Sequence, residues 1–180
     1  CVLIREKELI CVRNLSRESH NQNYRERMAV FLRENVAKAG SSNAFRGYEK
    51  LSVYLQQAYE ALRLGNKNAP YFWHYEFKDY IIPYFMERIT SEYTLEQVIH
   101  PGIFQLLKYD IVKSSNLYQT LKLYLEDGRN ATKTAEKLYI HRSSLVKRLD
   151  KIQNLTGINI EKSTDRLYVE LSCILLEYYK

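Results

Sequence analysis

Residues 130–149 constrain the fold of this chain more than any other stretch. They read Asn-Ala-Thr-Lys-Thr-Ala-Glu-Lys-Leu-Tyr-Ile-His-Arg-Ser-Ser-Leu-Val-Lys-Arg-Leu. The pattern is a short helix, a three-residue turn and a longer basic helix. Two helices that cross steeply over so short a turn need small or apolar residues at their contact points. Ala135 is the small residue of the first helix, where a larger side chain would push the pair apart. Leu138 and Ile140 flank the turn and would close a small core. Leu145 and Leu149 lie one turn apart on the inner face of the second helix. The spacing predicts a helix-turn-helix. The alternative is an ordinary antiparallel pair in a small bundle, which would not need Ala135, the apolar turn and a basic outer face together.

The charge points to the same place. The chain has 27 Lys and Arg against 21 Asp and Glu, a net charge of +6 over 180 residues. Residues 129–151 hold Arg129, Lys133, Lys137, Arg142, Lys147, Arg148 and Lys151 against Glu136 and Asp150, which is nearly the whole excess. A compact basic stretch is the footprint of a phosphate-binding surface, or else a solvated helix face with no partner. On the outer face of the second helix, Arg142, Ser143, Ser144 and Lys147 are placed to reach base edges in a DNA major groove. Lys133, Lys137, Arg148 and Lys151 sit on flanks suited to phosphates, which position but do not specify. His141 precedes the helix and would either cap it or touch a phosphate.

Before residue 90 the pattern is mixed. Residues 2–5 and 9–12 predict a hairpin around Glu6-Lys7-Glu8. A helix is expected over 24–37, capped by Asn23, with Met28, Phe31, Leu32 and Val36 on one stripe. Residues 38–47 read as a short strand or loop. A second helix follows at 48–64, its stripe being Leu51, Leu55, Ala58 and Leu62, with Gly65 at its left-handed end. Residues 71–77 predict a strand with Tyr71, Trp73, Tyr75 and Phe77 on one face. The order β-β-α-β-α-β describes an α+β layer. The boundary is expected near 89–93, giving domains 1–90 and 91–180.

After that boundary comes helix upon helix. Thr94 and Gln97 fit a capping box, and Pro101 suits the first turn of a helix running to Asp110. Ser114 or Ser115 is expected to cap a helix that stops at Gly128. Asn130 caps 131–138, and a helix from Arg142 to Leu155 closes at Gly157. Ser163 caps the last helix, 164–179. There Leu167, Leu171, Ile174 and Tyr178 form one stripe, widened by Val169, Cys173 and Leu176. A helix apolar nearly all round is buried on more than one side or forms a dimer seam.

Several classes are excluded or disfavoured. No apolar run approaches the roughly 18 residues of a membrane span. Cys1, Cys11 and Cys173 are too few and scattered for a disulfide framework or a zinc site. His20, His74, His100 and His141 show no ligand spacing, so neither metal nor cofactor is expected. The aromatic run 71–85 reads as core packing rather than a base-stacking platform. The simplest setting is a reduced cytoplasm. The chain opens on Cys1 and is read as a fragment of a longer protein.

At Ile140-His141-Arg142-Ser143-Ser144-Leu145, Arg148-Leu149, Lys151-Ile152 and Leu155-Thr156-Gly157 the sequence resembles the C-terminal helix-turn-helix of the PucR/CdaR family of bacterial transcriptional regulators. His100-Pro101, Tyr109-Asp110, Thr120-Leu121, Tyr124-Leu125 and Arg166-Leu167 agree in order and spacing, so the resemblance covers about 98–175. The helix pair is also similar to that of the Fis family. The resemblance implies DNA contacts at His141, Arg142, Ser144, Lys147 and Arg148. The family usually has Asn-Thr at Ser143-Ser144 and Tyr at Lys147, departures that bear on base preference. Tyr139 stands where many such turns place glycine, and a left-handed conformation there would cost roughly 1–2 kcal/mol.

Residues 1–80 are similar to the degenerate GGDEF-like domain that precedes this motif in CdaR-type regulators. The signature Gly-Gly-Asp/Glu-Glu-Phe turn of the active cyclases is replaced by Arg5-Glu6-Lys7-Glu8, which has no glycine for close approach to a nucleotide. The expectation is therefore a non-enzymatic, DNA-binding regulator, with a recognition helix over about 142–155. It would act on double-stranded DNA as a homodimer, with its small-molecule effector bound by a domain upstream. Two rivals stand beside it. One is a nucleotide-binding or cyclase-like enzyme using Glu6 and Glu8. The other is a protein-interaction module whose basic helix meets an acidic partner.

Overall fold

The computed structural model describes residues 1–5, 8–15 and 21–179, without the side chains of 21–23 and 25. The chain divides into two compact units, Cys1–Tyr84 and Phe85–Lys180. The division falls inside a helix, a few residues before the expected 89–93.

In the first unit, β1 (Val2–Arg5) pairs antiparallel with β2 (Glu8–Cys11), Val2 opposite Cys11 and Arg5 opposite Glu8. Cys1 and Val12 extend the ladder by two bonds of 2.8 Å, the Cys1 ammonium donating to the Val12 carbonyl and the Val12 N–H to the Cys1 carbonyl. The turn residues Glu6 and Lys7 lie outside the described residues. Helix α1 (Asn21–Glu34) starts before the expected cap, so Asn23 lies within it. It stops early because Val36 turns left-handed, with φ 50°. The N–H groups of Val36 and Ala37 close the end on the Arg33 and Leu32 carbonyls. Of the expected stripe Leu32 is buried, while Phe31 and Val36 are exposed.

The rest of this unit is a strand–helix–strand crossover. β3 (Ala39–Ser41) pairs parallel with β4 (His74–Glu76), and α2 (Leu51–Asn68) connects them. The order β-β-α-β-α-β is present, but the described strands form two separate two-stranded sheets. Two glycines let α2 lie close. A Cβ on Gly40 would come 2.0 Å from the Ala58 carbonyl oxygen, and one on Gly65 would come 2.1 Å from the Tyr75 ring. Gly65 therefore is not the expected left-handed stop. It is a buried helical residue under an aromatic ring, and α2 runs on to Asn68. β4 is also shorter than expected. A 3₁₀ turn at Phe77–Asp79 ends it. Alternation holds only for Tyr75 and Phe77, which are buried, while Tyr71 is 73% exposed. The Tyr75 hydroxyl donates to the carbonyls of Ala69 (3.0 Å) and Phe72 (2.8 Å), fixing the loop before the strand.

In the second unit the elements are all helical. α3 (Ile81–Glu92) leads in from the first unit, and α4 (Leu95–Val98) follows. Thr94 caps α4, its N–H donating to Gln97 Oε1 at 2.9 Å, as the capping box requires. α5 (Pro101–Lys113) has Pro at its first position. Its N-cap is His100, whose Nδ1 accepts from the Gly102 N–H at 3.0 Å. α6 (Leu117–Glu126), α7 (Ala131–Lys137), α8 (Arg142–Thr156) and α9 (Ser163–Tyr178) complete the unit.

Ser114 and Ser115 do not cap α6. The carboxylate of Asp110, one helix back, takes the N–H groups of Leu117 (2.9 Å) and Tyr118 (2.8 Å). It also accepts from the Ser115 hydroxyl at 2.6 Å. An anion at the positive end of a helix satisfies orphan donors and complements the dipole at once.

The core joins Met86, Ile99, Ile103, Leu106, Leu117, Leu121, Leu125, Ile152, Ile158, Val169 and Cys173. On α9 the buried face is Val169, Ser172, Cys173 and Leu175. The expected stripe through Leu167 is displaced, since Leu167 is 55% exposed. Ser172 has a reason to be inside. Its hydroxyl accepts the His100 N–H at 2.9 Å and donates to the Tyr168 carbonyl at 2.7 Å.

Candidate nucleic-acid interface

Helix α8 packs on α5, α6 and α7. Its inner face is apolar, with Leu145 and Ile152 buried and Leu149 half-buried. The first helix of the pair meets it with Ala135, 3% exposed. Leu138 and Ile140 are half-buried at the turn. Each of the five expected core positions is buried or half-buried.

Both ends of α7 are closed by local chemistry. Asn130 Oδ1 accepts the N–H groups of Thr132 and Lys133, each at 3.1 Å. At the other end the Tyr139 N–H reaches the Glu136 carbonyl and the Ile140 N–H reaches the Ala135 carbonyl, each at 3.0 Å. That pair of bonds is a Schellman closure, whose first residue past the cap must be left-handed. The residue is Tyr139, with φ 53°. α8 then starts after His141 and ends at left-handed Gly157.

The exposed N-terminal turns of α8 present Arg142, Ser143, Ser144 and Lys147 together. His141 is also exposed, its Nδ1 3.1 Å from the Ser143 hydroxyl. Among the described residues the side chains of Arg142 and Lys147 have no hydrogen-bond or ion-pair partner. The other basic residues of the stretch are engaged within the unit. Lys137 and Lys133 converge on Asp127, at 2.6 and 3.2 Å. Arg148 donates to the buried Thr120 hydroxyl at 3.2 Å, bracing α8 on α6. Arg129 pairs with Glu161 at 2.9 Å. Lys151 lies 4.9 Å over the Tyr109 ring. Lys133 and Lys137 keep about half their side-chain surface exposed, at 57% and 48%.

Sequence reasoning missed Asp127. Its side chain is 1% exposed and also accepts from the Thr134 hydroxyl at 3.2 Å. The Lys137 ammonium, with Lys133 beside it, holds its carboxyl below the ordinary carboxylate range, against the opposing effect of burial. No local pattern announces this group, because its partners lie across the turn from α6 to α7.

In the first unit Glu8 accepts from the Tyr59 hydroxyl at 2.7 Å. Glu6 and His20 lie outside the described residues. Among the described residues no three His, Cys, Asp or Glu side chains could hold a metal ion. None of the described helices is long and apolar enough to cross a membrane.

Residues 117–175 match the PucR C-terminal helix-turn-helix domain. The matched segment spans α6 to most of α9. The chain is 25% identical over 131 residues to the carbohydrate diacid regulator of Escherichia coli (strain K12), 72% of this chain and 33% of that protein. It is 25% identical over 143 residues to the proline-responsive transcriptional activator PutR of Bacillus subtilis (strain 168), 77% of this chain and 34% of the relative. The protein YxkF of the same organism is 40% identical over 60 residues, 33% of this chain and 20% of the relative. The chain thus spans about a third of two of these relatives and a fifth of the other. No solved structure matches it.

Proposed function

We propose that this chain belongs to a DNA-binding transcriptional regulator and that α8 enters the major groove. The observation that carries the reading is the two-faced α8. Its inner face is locked into the PucR-type helix-turn-helix, and its outer face leaves Arg142, Ser143, Ser144 and Lys147 exposed. Arg142 is suited to a bidentate contact with guanine, and the serines can donate or accept at base edges. Lys147 is suited to a base edge as well, and His141 to a phosphate. In this reading Arg129, Lys133, Lys137, Arg148 and Lys151 chiefly hold the motif together.

The proposal extends to the parts beyond α8. The first unit serves as a catalytically inactive, GGDEF-like module. The regulator acts as a homodimer on half-sites about 34 Å apart, the spacing of one DNA turn. Two relatives are named for a carbohydrate diacid and for proline. A small-molecule effector bound outside residues 1–180 fits that pattern.

Fluorescence anisotropy with duplex DNA across a salt series tests the central claim. The Arg142→Ala/Lys147→Ala variant should bind far more weakly. Its log–log salt slope should be shallower by roughly one to two, since each cation brought against the DNA polyanion contributes about 0.9. Equal binding by wild type and variant would overturn the reading and favour an acidic protein partner.

A further inference from the structure

The turn needs a left-handed residue at position 139, but it needs neither a tyrosine there nor the exposure that the side chain has. The residue is 96% exposed, the highest value among the described exposed large apolar residues. Its backbone is left-handed, where glycine would carry no steric cost. The turn is made by backbone groups, the N–H groups of Tyr139 and Ile140. A glycine would supply the same bonds. Among the described residues no hydrogen bond, ion pair or ring contact involves the phenol.

Left-handed non-glycine residues also occur at Val36, Ser114 and Arg129, so strain alone assigns nothing. What separates Tyr139 is its place. It lies two residues before His141, at the end of α8 that presents Arg142, Ser143 and Ser144. A phenol hydroxyl there is a neutral donor at the rim of a surface suited to a polyanion. Neutral hydroxyl donors are common partners of DNA phosphates.

We propose that Tyr139 is a phosphate-contact residue, its hydroxyl donating to a DNA backbone phosphate beside the bases that α8 reads. The inference rests on the DNA-binding reading above. It has a signature that a cationic contact lacks. A neutral donor brings no charge to neutralise a phosphate and so displaces no counterion condensed on the DNA; its loss lowers affinity and leaves the salt slope unchanged.

The test is the same anisotropy titration with Tyr139→Phe and Tyr139→Gly, together with thermal unfolding of each. Tyr139→Phe keeps the ring and the fold. It should weaken binding about threefold to tenfold, the range of one net hydrogen bond, at an unchanged slope. Tyr139→Gly should unfold at a higher temperature yet bind DNA at least as weakly as Tyr139→Phe. Wild-type affinity in Tyr139→Phe would overturn the proposal while leaving the DNA reading intact. If Arg142→Ala/Lys147→Ala bound as wild type does, the DNA reading would fail and this inference with it.

Discussion

Asp127 is a buried carboxylate held by charged and neutral donors together. Two ammonium groups and one hydroxyl converge on it, and it is nearly out of contact with solvent. Its folded-state pKa lies below the unfolded value, which is about 3.9. The sign follows from linkage. The stabilisation is present above the unfolded pKa and is lost as pH falls through the lower folded value. Asp127→Asn should therefore unfold at a lower temperature than wild type at neutral pH. The gap between the two should shrink as pH is taken below about 4. A gap that stayed constant with pH would mean that the carboxylate's charge is not what holds α6 to α7. In the core of the same motif, Leu145 is fully buried. Leu145→Ala should cost about 2–5 kcal/mol in urea unfolding, the usual range for truncating a buried leucine.

At the scale of elements, what sets the helix positions is close approach and borrowed caps. α2 lies on its two strands because Gly40 and Gly65 have no Cβ. Gly65→Ala would place a methyl group against the Tyr75 ring, beside a residue whose hydroxyl fixes the preceding loop. We expect it to destabilise the first unit by about 1–3 kcal/mol, the cost of overpacking, although alanine is the better helix former. Urea denaturation read by aromatic fluorescence or circular dichroism checks this, and an unchanged midpoint would refute the packing argument. α6 shows the second device. Its first turn is capped by Asp110 from α5, so the cap also sets how the two helices meet.

For the whole molecule the relevant quantity is how much of the positive charge is available to a partner. Seven basic residues crowd into 129–151. If all seven met phosphates, the salt slope would approach about −6. The structure ties Arg129, Lys133, Lys137, Arg148 and Lys151 to partners of their own. We therefore expect a slope nearer −2 per bound protomer, contributed mainly by Arg142 and Lys147. A slope close to −6 would show that the intramolecular pairs yield to DNA.

The comparison between sequence and structure divides along the range of the interactions involved. Asn130 and Gly128 around α7, Gly157 after α8, the Thr94–Gln97 box and the inward placement of Ala135, Leu145 and Leu149 were all legible in the sequence. Each depends on residues within a turn or two of one another, or on a period the helix imposes. Gly65, the Asp110 cap, the Asp127 cluster and the buried face of α9 were not. A glycine in a helix and a glycine after one look alike until the Tyr75 ring lies on it. A carboxylate's partner across a turn has no fixed spacing. The sequence by itself determined the helix-turn-helix and the residues on the outer face of α8, because local geometry and periodicity suffice for both. Only the tertiary structure decided which cations are left for a ligand, because ion pairing depends on distances in space that the order of residues does not encode.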